Sequence, residues 1–232
     1  MDGGTVLLLL LVAVASVGGL GYLSHRKQKQ RRLAIEAWAA RTGLSFRADR
    51  DRGVERRFPP FSCLRTGDDR YAYNLAEGNK DGRGVCAFDY HYETHTTNSK
   101  GQRQTHTHRF SAVVVTTDLP LRDLSVRPEG FFDRITEALG FDDIDFESSE
   151  FSRAFFVKAS DRRWAFEVLH QATMEFLLAA PRFTIEMAGP WVLVRRGSCF
   201  RPEEFDPAIG VAVGILDRLP RYLVKELKGG DA

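Results

Sequence analysis

The sequence predicts an α+β protein: an N-terminal transmembrane helix followed by antiparallel β-hairpins with packed amphipathic helices. Three observations carry this. An uncharged run opens the chain and stops at a cluster of cations. Two long runs with period-two alternation flank a turn sequence in the middle. Helical periodicities with their own start and stop residues fill the last third.

The opening run is "TVLLLLLVAVASVGGLGYL" (residues 5–23), with no charged residue. At about 1.5 Å per helical residue it approaches the ~30 Å of a hydrocarbon core. "AVA" (residues 13–15) resembles a signal-peptidase site, but the basic segment that should precede it is missing. The cations come afterwards, in "HRKQKQRR": Arg26, Lys27, Lys29, Arg31 and Arg32. That order predicts an anchor at 1–24 in the cell inner membrane, crossing once, with the C-terminal domain cytoplasmic. The same five cations are the expected membrane-surface residues, and the lipid bilayer the expected partner. A basic juxtamembrane helix over 25–43 follows, with Leu33, Ala34, Ala37, Trp38 and Ala40 at helical spacing and Gly43 as its stop. Residues 44–232 form the expected α+β domain.

Within that domain "DRDRGVERRFPPF" reads as an irregular connection that docks Phe58 and Phe61. "RYAYNLAEG" is a short strand. "RGVCAFDYHYETHT" and "QTHTHRFSAVVVTT" form a hairpin turning at "NSKG" (residues 98–101). "LSVRPE" is a further strand and "PEGFFDRITEALG" a helix. "FSRAFFVKAS" alternates as a strand. "DRRWAFEVLHQATMEFLLAAP" is one amphipathic helix, with Asp161 as N-cap and Pro181 as terminator. "RFTIEMAGPWVLVRRG" is a second hairpin turning at Gly189-Pro190 and ending in a charged turn. The final helix is interrupted near Pro220. Phe88, Phe155, Val157, Trp164, Leu169, Phe176 and Leu193 are expected to be buried together.

"GRGVCAFDYHYET", "HRFSAVVV" and "DIDFESSEFSRAFFVKASDRRWAFEVLHQATMEFLL" resemble a family of uncharacterised bacterial membrane-anchored proteins with a cytoplasmic α+β domain. The likeness runs over about residues 64–224. It implies fold and topology, but no activity and no catalytic residue.

Composition excludes several functions. A formal charge of +2 gives no field for nucleic acid. Cys63, Cys86 and Cys199 are too few and too scattered for a disulfide framework or a zinc ribbon, and apolar neighbours make them buried thiols. No nucleophile-elbow or phosphate-cradling motif is present. "DDIDFESSE" has five carboxylates without the spacing of a calcium loop. What remains is the histidine-rich hairpin. A two- or four-residue turn would put His91, His95, His106, His108 and Glu93 on one face, close enough to hold a divalent transition metal. A one-residue change of turn length would split them. The expected function is therefore a membrane-anchored, non-enzymatic binding or scaffold domain with an unknown protein partner and no cofactor. The alternative is a membrane-tethered metal-binding protein or metalloenzyme built on the histidines.

Overall fold

A computed structural model describes residues 3–130, 144 and 146–229; residues 3–21 and 24 are described by their backbone alone. The chain order is α1 (Gly3–Thr42), β1 (Ser45–Arg47), α2 (Val54–Arg57), β2 (Asp68–Lys80), β3 (Arg83–Thr97), β4 (Arg103–Pro128), α3 (Ser149–Ala154), β5 (Phe155–Ala159), α4 (Arg162–Val168), α5 (Gln171–Ala179), β6 (Thr184–Arg195), α6 (Phe205–Asp217) and α7 (Arg221–Gly229). The strands form one antiparallel sheet in the order β1-β2-β3-β4-β5, with β6 also paired to β4. β4 is the organising strand. Its first half pairs with β3, its last residues pair with β5, and β6 follows it through a shift between Thr116 and Leu124.

Alternation along β3 and β4 sorts two cores onto the two faces of this sheet. Val85, Ala87, Val113 and Val115 face α1 and α4–α7 and form the larger core with Ile35, Trp38, Trp164 and Ile209. Cys86, Phe88, Tyr90, Ala112 and Val114 face the other way, where the 54–64 connection covers them with Phe58, Phe61 and Leu64. The residues expected to share one core are therefore divided. Phe155, Val157, Trp164 and Leu169 lie in the larger cluster, with Phe176 at its rim, whereas Phe88 and Leu193 lie in the smaller.

Several expectations are corrected. Among the described residues no helix is long and apolar enough to cross a membrane. The transmembrane anchor, the single-pass topology and the inner-membrane localisation are corrected on that finding. The stretch 5–23 on which they rested falls, except for Tyr22 and Leu23, outside the residues whose side chains are described. From Tyr22 onward α1 is polar on most of its surface. Its apolar side chains Ile35, Trp38 and Ala39 are buried against the sheet domain. Trp38 stacks on Phe205 with ring centres 4.8 Å apart and donates from Nε1 to Asp206. Gly43, with φ +74°, ends the helix as expected.

"RFTIEMAGPWVLVRRG" is one strand rather than a hairpin. Gly189 takes φ +54°, and Gly189-Pro190 lies opposite the irregular stretch of β4 between Thr116 and Leu121, where a proline takes no hydrogen bond away from the ladder. Arg195 is not in an exposed turn: it is 1 % exposed and pairs with Glu186. "FSRA" is the end of α3, capped by Ser148, whose side chain accepts from Phe151 N. The long helix expected after Asp161 is two. Asp161 does cap α4, and an extended His170 separates α4 from α5. The helix expected over 128–140 lies, past Gly130, outside the described residues.

Candidate functional site

The sequence of β2 gives the first clue to a site. Its pairing with β3 slips twice, between Asp68 and Tyr71 and between Tyr73 and Ala76. At each slip a non-glycine residue takes positive φ: Asp69 at 44° and Asn74 at 52°. Bulges of this kind turn a side chain out of the regular alternation, and they gather beside functional sites. Both side chains turn towards polar groups on β3.

Asn74 points at Asp89, which is fully buried. Asn74 Nδ2 donates to Asp89 Oδ2 (3.0 Å), and the Ser111 hydroxyl donates to Oδ1 (2.5 Å). Arg31 reaches in from α1 and closes the arrangement. Its Nε and Nη2 meet the two carboxylate oxygens at 2.8 and 2.6 Å, and its Nη1 donates to Phe200 O. Phe200 N in turn donates to Ser111 Oγ (2.9 Å). Two-pronged Arg–carboxylate pairing is among the stronger polar contacts available to a protein. Burial is the largest single influence on Arg31 and would lower its pKa, but the bond to Asp89, the Asp89 charge and smaller contributions from Cys199 and Tyr73 together outweigh it and raise the pKa.

Above this latch a cleft of about 620 Å³ opens between α1 and the sheet. Its lining includes Lys29, Arg32 and Arg109 together with Tyr73 and Cys199, and Glu36 is its acid. Among the described residues Lys29, Arg32 and Arg109 make no ion pair, so the cleft has unspent positive charge. Burial, reinforced by Asp89, pushes the Tyr73 phenol and the Cys199 thiol up, so neither ionises near neutral pH. Cys63 and Cys86 are buried thiols, as expected. The five cations read as membrane-surface residues thus part company. Arg31 goes into the domain, Lys29 and Arg32 line the cleft, Arg26 sits 6.0 Å over the Tyr22 ring, and Lys27 is exposed.

The histidines are not one cluster. Thr97 pairs with Arg103, so the turn spans five residues, 98–102. It is held by Asn98 Oδ1, which accepts from Lys100 N and Gln102 N, and by Gly101 at φ +74°. An odd turn pairs odd residues with odd: His91 faces Arg109 and His95 faces Thr105, while Tyr92 faces His108 and Thr94 faces His106. His91, Glu93 and His95 therefore share the face of the larger core, and His106 and His108 lie on the opposite one. This corrects the four-histidine metal face. His108 stacks on Tyr92 and bonds Thr94, and His106 bonds Thr96.

His91 is different. It is 5 % exposed, stacks on Tyr71 at 4.5 Å, and makes no hydrogen bond from either ring nitrogen. Its Nε2 stands 3.7 Å from Asp69 Oδ2 and 3.8 Å from Glu93 Oε1. Burial lowers its pKa, Arg109 and Arg50 lower it further, and Asp69 and Glu93 only partly oppose them. His91 and Glu93 are metal candidates on sequence alone, whereas Asp69 has no sequence signal, because only the bulge brings it over.

This fold has a solved counterpart. It is the crystal structure of the mycobacterial trehalose monomycolate transport factor A, TtfA, with a TM-score of 0.61. The match covers 82 % of this chain and 95 % of that one at 15 % identity. At that identity the likeness is one of fold. No family model and no curated protein matches the chain. A bacterial fold relative is consistent with the resemblance drawn from the sequence, but it gives no support to the membrane anchor.

Proposed function

We propose that the chain is a non-enzymatic accessory domain that holds an acidic segment of a protein partner in the cleft between α1 and the sheet. The observation that carries this reading is the set of cations Lys29, Arg32 and Arg109, which make no ion pair among the described residues, around a cleft whose floor is fixed by the Arg31–Asp89 latch. With Arg31 already neutralised, an incoming carboxylate meets the other three without breaking a bond the fold needs. Tyr73 and Leu33 add apolar surface for the stem of a peptide. The accessory role is supported by the fold shared with a protein named as a transport factor. The cargo in that protein's name is not carried over.

The test uses a fluorescein-labelled ten-residue glutamate-rich peptide as probe, titrated with the full chain and read by anisotropy. Binding should weaken as salt is raised, because exposed charges are screened within about 8–10 Å at physiological ionic strength. Replacing Lys29, Arg32 and Arg109 with Gln should weaken it by about tenfold or more, as loss of several complementary charges does. Equal binding by parent and variant would overturn the reading.

A further inference from the structure

We propose that Asp69, His91 and Glu93 form a three-ligand site for a divalent transition metal of the zinc or cobalt type. This goes beyond the cleft: Lys29 and Arg32 take no part, and Arg109 only faces His91 across the β3–β4 ladder. His91 is a buried imidazole whose two nitrogens have no hydrogen-bond partner, an arrangement that costs free energy unless something supplies the missing contact. Its Nε2 faces two carboxylates at separations too long for hydrogen bonds. Those separations suit a shared ion. Two donors each ~2.0–2.2 Å from one metal, at tetrahedral or wider angles, stand roughly 3.4–3.8 Å apart. One atom from each of the three residues already lies within 4.8 Å of the others, so small side-chain rotations complete the set.

The surrounding groups favour a metal over a simple ion pair. The imidazole is 5 % exposed and held by its stack on Tyr71, and it turns Nε2 towards both carboxylates without reaching either, so a shared ion would supply the contact it lacks. The second oxygen of Asp69 is held by Arg52 at 2.7 Å, which orients the first towards His91. Bonds of this kind fix ligands in metal sites. Glu93 is fixed from behind. Gly67, at φ +69°, packs so tightly on the Glu93 carbonyl that a Cβ there would lie 2.2 Å from it. One nitrogen and two oxygens suit a borderline ion better than a soft one, and three protein ligands leave a position open to water or to a group from a partner.

The experiment titrates Zn²⁺ into the full chain, purified without a histidine tag and stripped with chelator, and follows heat. Co²⁺ absorption serves as a second readout. The expected result is one equivalent bound, with affinity falling more than about tenfold in His91→Gln and in Glu93→Gln, since even outer-shell losses cost ~10–100-fold. The triple variant His95→Gln, His106→Gln, His108→Gln should bind as the parent does. Glu93 is only half-buried, so its variant decides the matter if His91→Gln fails to fold. Three outcomes would overturn the site: no binding, binding unchanged in the Glu93 variant, or binding lost in the triple variant, which would mean adventitious capture by surface imidazoles.

Discussion

Asp89 sits in "CAFDYHY" on a strand face that is otherwise packed, and a buried carboxylate there requires a cation. Neither its burial nor its partner was legible in the sequence, since alternation sets Asp89 on the face of His91, Glu93 and His95, which reads as polar. Arg31 sits in a run of cations, and a charge run read along the chain looks like a solvated surface. Its role comes from a contact 58 residues away. Arg31→Ala should destabilise the protein by roughly 3–5 kcal/mol, because it leaves Asp89 buried without its cation. The double variant Arg31→Met, Asp89→Asn should recover much of that loss in urea unfolding. A single-variant loss below about 1 kcal/mol would place the pair among weak surface bridges. His91 gives a second residue-scale expectation. Its pKa is lowered in the folded protein, mainly by burial and then by Arg109 and Arg50, against Asp69 and Glu93. The unfolded chain then binds more protons than the folded one once the pH falls towards the ordinary histidine value of about 6.5. This contribution to stability is present above that value and is lost as the pH falls through the lower folded pKa. In metal-free buffer the parent should lose melting temperature between about pH 7 and 5, and His91→Gln should flatten that part of the profile.

Elements were legible where their signals were local, and less so where a distant strand decided the outcome. The Asn98–Gly101 turn chemistry located the β3–β4 hairpin correctly. The exact turn length decided which face each histidine took, and "NSKG" does not say whether Gln102 belongs to turn or strand. Gly189-Pro190 carried a strong turn signal, yet β4 has its own irregularity opposite that dipeptide, so β6 continues through it. The break between α4 and α5 has neither glycine nor proline. It is set by His170, whose Nε2 lies 2.8 Å from Arg218 O at the end of α6. α6 itself allows a test with opposite signs on one helix. A Cβ at Gly214 would lie 2.4 Å from the Phe176 ring of α5, whereas a Cβ at Gly210 would meet nothing within 4 Å. Gly214→Ala should therefore destabilise by about 1–3 kcal/mol through overpacking. Gly210→Ala should stabilise by roughly 0.4–1 kcal/mol, because alanine has less backbone freedom to lose. Thermal melts of the two variants check both signs, and a shift of the same sign in both would mean that α5 and α6 do not pack as described.

At the scale of the molecule the sheet is shared between two cores, and α1 belongs to the larger one. The division followed from alternation in β3 and β4, once each strand's neighbours were known. The docking of α1 did not, because Ile35, Trp38 and Ala39 also fit a helix that merely leaves a membrane. Their burial means that the helix from Arg31 onward is a structural layer of the domain. Trp38 is the anchor: it is 1 % exposed, stacked on Phe205 and bonded to Asp206, so it ties the first helix to the start of α6 near the end of the chain. Trp38→Ala should cost about 3–5 kcal/mol by opening a cavity between α1 and α6. A chain beginning at Leu44 would lose Trp38 and Arg31 together, exposing one side of the larger core and leaving Asp89 unpaired. Such a chain should expose apolar surface and unfold with a broad, weakly cooperative transition, as seen by dye binding and urea titration. A sharp transition at the parent's midpoint would show that α1 is an appendage. It would also remove the cleft from the list of rigid surfaces, since α1 is one of its walls.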